Sequence, residues 1–191
     1  MKFLAALSLF SLASAIPLKQ RQSDDAPFTL NLRWSNSPLS GPINANGSQF
    51  WHGKDTASFC PENIPGCKTV NTTSFVGRDG QLFLNTGVPG GQQVYVSPTG
   101  LLTYTVPHSA NIPEGSLTDL EVFSTNNFIN PFLTFHLCSV DQEDTQWHLV
   151  LEYTNATTGS IVNSGYTENN ACTRVSLEAV PYEGDTAWEF S

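Results

Sequence analysis

Apolar side chains recur at every second position along this chain, in short runs. Phe28, Leu30, Leu32 and Trp34 alternate with Thr29, Asn31 and Arg33. Leu102, Tyr104 and Val106 alternate with Thr103 and Thr105, and Leu133, Phe135 and Leu137 with Thr134 and His136. The clearest run sets Trp147, Leu149, Leu151 and Tyr153 against Gln146, His148, Val150 and Glu152. Residues 81–84 and 94–96 are shorter candidates, and Val175, Leu177 and Ala179 oppose Arg174, Ser176 and Glu178. A period of two is that of a pleated strand with one face in a core. Sustained helical periodicity is missing; residues 117–123 fit a short helix or a strand equally well.

Turn residues punctuate these runs: residues 44–47, Asp79 with Gly80, residues 89–91, 98–100 and 113–115, and Asn126 with Asn127. Glycine supplies positive φ there and proline presets a negative one. About ten short strands in one chain predict a single compact antiparallel all-β domain, a β-sandwich or a β-trefoil-like barrel. Residues 80–84 and 100–104 echo each other weakly, but no regular spacing marks a threefold repeat.

The N-terminal residues depart from this pattern. Lys2 precedes an apolar run over residues 3–12, and Ala13, Ser14 and Ala15 end it. That is the layout of a secretory signal peptide, 1–15, cut after Ala15. Residues 16–27 read as a propeptide or flexible leader, with Lys19 and Arg21 available to a processing protease, and 28–191 as one β-rich domain. No later stretch is long and apolar enough to span a bilayer, and residues 187–191 give no apolar tail for a lipid anchor. The expected location is extracellular or cell wall.

Composition narrows the function. The 191 residues suit one domain with one core. Only 13% are charged, about half the usual share, yet 12 Phe, 5 Tyr and 4 Trp argue against disorder. The net charge is −9 and no basic block occurs, which excludes a nucleic-acid partner that tracks phosphates. After signal cleavage no membrane partner is expected.

Four cysteines, Cys60, Cys67, Cys138 and Cys172, follow the leader. An even count on a secretory route reads as two disulfides, with three pairings open. Cys60–Cys67 with Cys138–Cys172 is favoured, since each bridge then staples one half of the chain. Loop closure gives about 2.5 kcal/mol for the short loop and about 3.8 for the long one. Three N-glycosylation acceptors, Asn46, Asn71 and Asn155, each followed two residues later by Ser or Thr, are expected on exposed loops.

Motifs that carry catalysis are absent: no GxSxG, HExxH, GxGxxG or phosphate loop. The glycines of residues 87–91 read as a hairpin loop. His136 and His148 lie on neighbouring predicted strands and with an oxygen ligand would suit a metal, but they read more simply as polar-face residues. A glycoside hydrolase needs two carboxylates across a cleft; Glu121, Glu152 and Glu178 are the first to inspect, with solvated strand faces as the plainer reading. The acidic residues 141–144 read as a solvated turn rather than a calcium loop. No catalytic residue, metal or cofactor is assigned. Trp34, Trp51, Trp147 and Trp188 offer flat surfaces for sugar rings. Trp147 falls on a core face, so Trp51 is the first candidate for carbohydrate contact.

Residues 89–105 read Pro-Gly-Gly-Gln-Gln-Val-Tyr-Val-Ser-Pro-Thr-Gly-Leu-Leu-Thr-Tyr-Thr, followed by His108, Ser109 and Ala110. With the Phe28, Thr29, Leu30 opening, the Cys60 and Pro61 loop, the Asp79, Gly80 turn, residues 132–135 and the late Cys172, this resembles the fungal phialide cell-wall protein (PhiA-like) group, some members of which are labelled IgE-binding proteins. One departure is Ser139 after Cys138, where the group leads us to expect Pro. The resemblance implies a secreted, wall-associated glycoprotein linked to spore-bearing cells, with wall polysaccharide or wall proteins as partners. It implies no catalytic residues. The expected function is structural or interactive, linked to phialide or conidium development, with a carbohydrate-binding module as the alternative and a polysaccharide-active enzyme behind it.

Overall fold

The computed structural model describes residues 26–33, 40–120, 122–123, 128–129, 133–140, 145–154, 159–162 and 172–191. Among these residues every regular element is a strand. Thirteen strands make one antiparallel sheet. Its path runs β15 (Cys172–Val175), β12 (Thr134–Ser139), β13 (Trp147–Thr154), β4 (Gln49–His52), β9 (Leu102–Tyr104), β8 (Gln92–Val96), β7 (Gln81–Leu84), β6 (Phe75–Arg78), β1 (Phe28–Leu32) and β16 (Leu177–Pro181). β2 (Gly41–Pro42), β3 (Asn44–Asn46) and β14 (Ile161–Val162) add to β1, β4 and β13. Two small sheets pair β10 (Val122–Phe123) with β11 (Phe128–Ile129), and β5 (Ser58–Phe59) with β17 (Glu189–Phe190).

The all-β expectation holds. The sheet is not closed into a barrel, so the trefoil-like alternative is not realised. Its two margins, β15 and β16, are consecutive pieces of chain separated by Ser176 alone. The sheet is also thin at two joints. β4 meets β9 only through Gln49 and Thr103, and β1 meets β6 only through Phe28 and Phe75. Side chains from both margins and from all the central strands pack into one core cluster. Four aromatic rings knit the joints from inside: Phe28 on Phe75 at 5.9 Å, Phe75 on Phe50 at 5.6 Å, and Phe50 on Tyr104 at 5.3 Å.

The alternating runs at 28–32 and 133–137 bury the residues expected of them, and at 81–84 Leu82 and Leu84 are buried while Phe83 is half-buried. Three details differ. Residues 44–46 are strand β3 rather than turn, because Ala45 drops into the core and leaves Gly47 (φ 64°) and Ser48 (φ 60°) as a two-residue hairpin. Such paired positive φ values match the twist of the flanking strands. After Tyr104 the alternation reverses: Thr105 is buried, its hydroxyl accepting from the Gln93 backbone N–H at 3.0 Å, and Val106 is exposed. On β13 both faces are buried, so His148 and Val150 are not on a wet face. Among the described residues of 117–123 no helix forms: Leu117 bridges to Val96, and Val122–Phe123 is a strand. Glu121, Asn126, Asn127, residues 1–25, Trp34, residues 141–144 and Asn155 lie outside the described residues.

The C-terminal segment is locked into the body. Phe190 is fully buried, and the buried Gln92 carboxamide bonds to its backbone. Ser191 donates its N–H to Ala57 O at 3.0 Å, and its O accepts from Gly47 N at 2.8 Å and from the Tyr104 hydroxyl at 3.3 Å. That hydroxyl in turn accepts from Ser48 N at 3.2 Å. Burial pushes the Tyr104 pKa up to about 12, with the Ser48 bond opposing, so it serves as a neutral connector.

Candidate functional site: the Trp51 face

Register puts four side chains in one row across β4, β13, β12 and β15. Trp51 opposes His148, His148 opposes Cys138, and Cys138 opposes Cys172. Directly opposed residues share a face. The indole of Trp51 lies on the His148 imidazole, 4.5 Å between centroids and 19° between planes. The Lys54 ammonium reaches over the same indole, 4.4 Å from its centroid. The indole N–H donates to Asn46 O at 2.9 Å. Trp51 is therefore half-buried and engaged through both its π surface and its polar edge.

The loop after β4 puts Lys54 there. Gly53 has φ 82° and lies so close to the Thr145 carbonyl that a Cβ would collide with it. Asn44 and Asn46 stand on the same face of β3. Their amides donate to consecutive carbonyls, Lys54 O at 2.8 Å and Asp55 O at 3.0 Å. Below them Thr73 is buried; its hydroxyl accepts from Ala45 N at 2.7 Å and bonds the Thr56 hydroxyl at 3.0 Å.

His148 is fully buried. Desolvation is the main cause that lowers its pKa to about 4, and the Lys54 charge adds to it. It is a neutral ring at ordinary pH, which suits stacking on an indole. His136 lies on the same face, diagonal to His148 across β12 and β13. Burial lowers its pKa too, with Glu152 opposing and Arg174 adding. Among the described residues no three His, Cys, Asp or Glu side chains converge to hold a metal. Glu152 and Glu178 sit on β13 and β16, which are not neighbours in the sheet.

Both favoured disulfides are present. Cys138–Cys172 bridges opposed residues of β12 and β15, and Cys60–Cys67 closes a loop that turns through Pro61 and Ile64. Asn71 is exposed, whereas Asn46 is half-buried with its amide bonded to the loop that follows β4. Trp147 packs against the core and Trp188 covers Gly87. Sequence reasoning missed the Lys54–Trp51–His148 stack, because strand alternation put His148 in solvent. It missed Gln92 because a polar residue opening a strand reads as surface.

An all-β body stapled by two disulfides, with its polar side chains fastening its own loops, is of the extracellular kind. The family model described as PhiA-like secreted protein matches residues 28–191, and the chain belongs to that family of secreted proteins. It is also 45% identical over 76 residues to an uncharacterized secreted protein of Arthroderma benhamiae; the match covers 39% of this chain and 37% of that relative's length. No solved structure matches the chain.

Proposed function

We propose that the protein is a non-catalytic structural or interaction glycoprotein of the fungal wall and its surrounding fluid, acting at phialides and conidia. One observation carries this reading: its hydrogen-bonded polar side chains hold backbone. Gln92, Asn44, Asn46, Thr73 and Ser58 all bond to main-chain atoms of distant segments. Such groups build a durable frame for meeting neighbours. The acidic surface keeps the frame soluble, and an N-glycan at the exposed Asn71 would add to that. Fractionation of hyphae and conidia tests it: the protein is expected in the wall extract and medium, and recovery only from cytosol would end the proposal.

A second reading, a carbohydrate-binding module for wall polysaccharide, is favoured by the half-exposed Trp51 with a cation beside it. A sugar face seeking that indole competes with Lys54 and His148. Retention on chitin or β-glucan together with a change in tryptophan fluorescence is the expected result, and absence of both removes this reading.

A further inference from the structure

Asn46 and Gly47 are the chain's one Asn-Gly pair. That pair is chemically labile in any unfolded peptide. The Gly nitrogen, unhindered by a Cβ, attacks the Asn side-chain carbonyl. A bond forms between Gly47 N and Asn46 Cγ, the bond from Cγ to Nδ2 breaks, and the nitrogen leaves as ammonia. The Gly47 N–H proton passes to solvent base, and solvent returns one to the departing nitrogen. Water then opens the succinimide to aspartate or isoaspartate.

In the fold, each partner in that attack is held by a different segment. The Gly47 N–H donates to Ser191 O at 2.8 Å, so the nucleophile keeps its proton. Asn46 Nδ2 donates to Asp55 O at 3.0 Å, so the carboxamide is turned toward the 53–57 loop. The turn itself is at the surface: Gly47 is exposed, and a Cβ there would meet open space. Water reaches the site, and these two bonds, backed by the Trp51 indole on Asn46 O and the pairing of Asn46 with Gln49, stand between it and ring closure.

We propose that Asn46 with Gly47 is a latent self-modification site, kept closed by Ser191, and that its conversion unpins the Lys54 loop from the Trp51 face. The product replaces an amide donor by a carboxylate opposite the Asp55 carbonyl, which repels it. Isoaspartate also adds a backbone methylene inside the β3–β4 hairpin, breaking the register that sets Asn44 against Trp51. The change removes the glycan acceptor at Asn46 as well. The inference does not depend on what the protein binds.

The experiment ages the purified full chain in mildly alkaline buffer and maps peptides for a one-dalton gain and for isoaspartate, with released ammonia measured alongside. Conversion at Asn46 is expected to be about tenfold or more slower in the native protein than after reduction and unfolding, since it must wait for local opening. Removing Ser191 is expected to raise the native rate severalfold at Asn46 and leave Asn71 unchanged. Should that variant not fold, the wild-type chain in graded mild denaturant supplies the second arm: conversion at Asn46 tracks exchange of the Gly47 amide hydrogen. The proposal is overturned by equal rates in native and unfolded chains. It is overturned equally by conversion that ignores Gly47 exchange, or by a glycan filling Asn46 in the secreted protein.

Discussion

Gln92 grips Phe190 with both ends of its carboxamide: Oε1 accepts from the Phe190 N–H at 2.7 Å, and Nε2 donates to the Phe190 carbonyl at 2.9 Å. The amide thereby imitates a neighbouring strand, and Nε2 also reaches Thr105 O at 3.2 Å. Replacing Gln92 by Ala leaves buried main-chain groups without partners. We expect Gln92→Ala to lower unfolding stability by about 2–5 kcal/mol in denaturant titration. Gln93→Ala, one residue along, is expected to cost under about 1 kcal/mol. Equal effects at the two positions would contradict the clasp.

His148 makes stability depend on pH. Its folded pKa, about 4, lies below the ordinary 6.5, so the unfolded chain binds the extra proton between these values. Its contribution is complete above pH 6.5 and falls away as pH drops to 4, a loss of about 3 kcal/mol. Carboxylates titrate in part of the same window, so the comparison is with His148→Leu. That variant should show a flatter stability profile between these pH values, read by denaturant midpoints.

Lys54 and His148 are coupled through Trp51. Lys54→Ala removes a cation from the indole, a change of about 0.5–1 kcal/mol. It also removes the charge that adds to burial in depressing the His148 pKa. Two readouts should move together: tryptophan emission shifts, and the acid-side loss of stability, which still begins near pH 6.5, becomes smaller and ends at higher pH. A shift in emission without the pH change would mean that Lys54 touches Trp51 without sensing His148.

The two disulfides should contribute unequally. Their cysteines are 7 and 34 residues apart. Cys60→Ala with Cys67→Ala is expected to cost about 2.5 kcal/mol, and Cys138→Ala with Cys172→Ala about 4 kcal/mol, by loop closure. Thermal melts of the two double variants rank them directly.

Asn71 is the exposed acceptor among the described sequons. Its third residue, Thr73, is buried and bonded to Ala45, so a transferase must read the triplet before that segment settles. Secreted protein treated with an N-glycosidase should lose mass at Asn71. An unmodified Asn71 peptide would remove this site.

Strand identity was legible because burial in β1, β7 and β12 follows the two-residue period of the pleat. The period misled where a large side chain on the neighbouring strand covers the outer face. His148 alternates correctly, yet Trp51 from β4, almost a hundred residues earlier in the chain, lies over it. Nothing local to either residue announces that contact. Turns were legible from Gly and Pro, and the misplacement at residues 44–47 came from Asn44 and Asn46. Asparagine favours turns when its side chain bonds its own backbone, but here both amides bond another loop. The disulfide pairing followed from chain spacing. The stack at Trp51 did not, since Lys54 gains its position from Gly53 meeting Thr145.

Sheets ordinarily fray from their outermost strands inward. In this molecule residues 172–181 supply both outermost strands, with Ser176 as the hinge between them. One of the two is covalently tied through Cys172 to Cys138. Peeling either side therefore pulls on the other, and the bond to Cys138 resists at one end. The consequence is that the two ends of the strand path share one piece of chain and do not peel away independently.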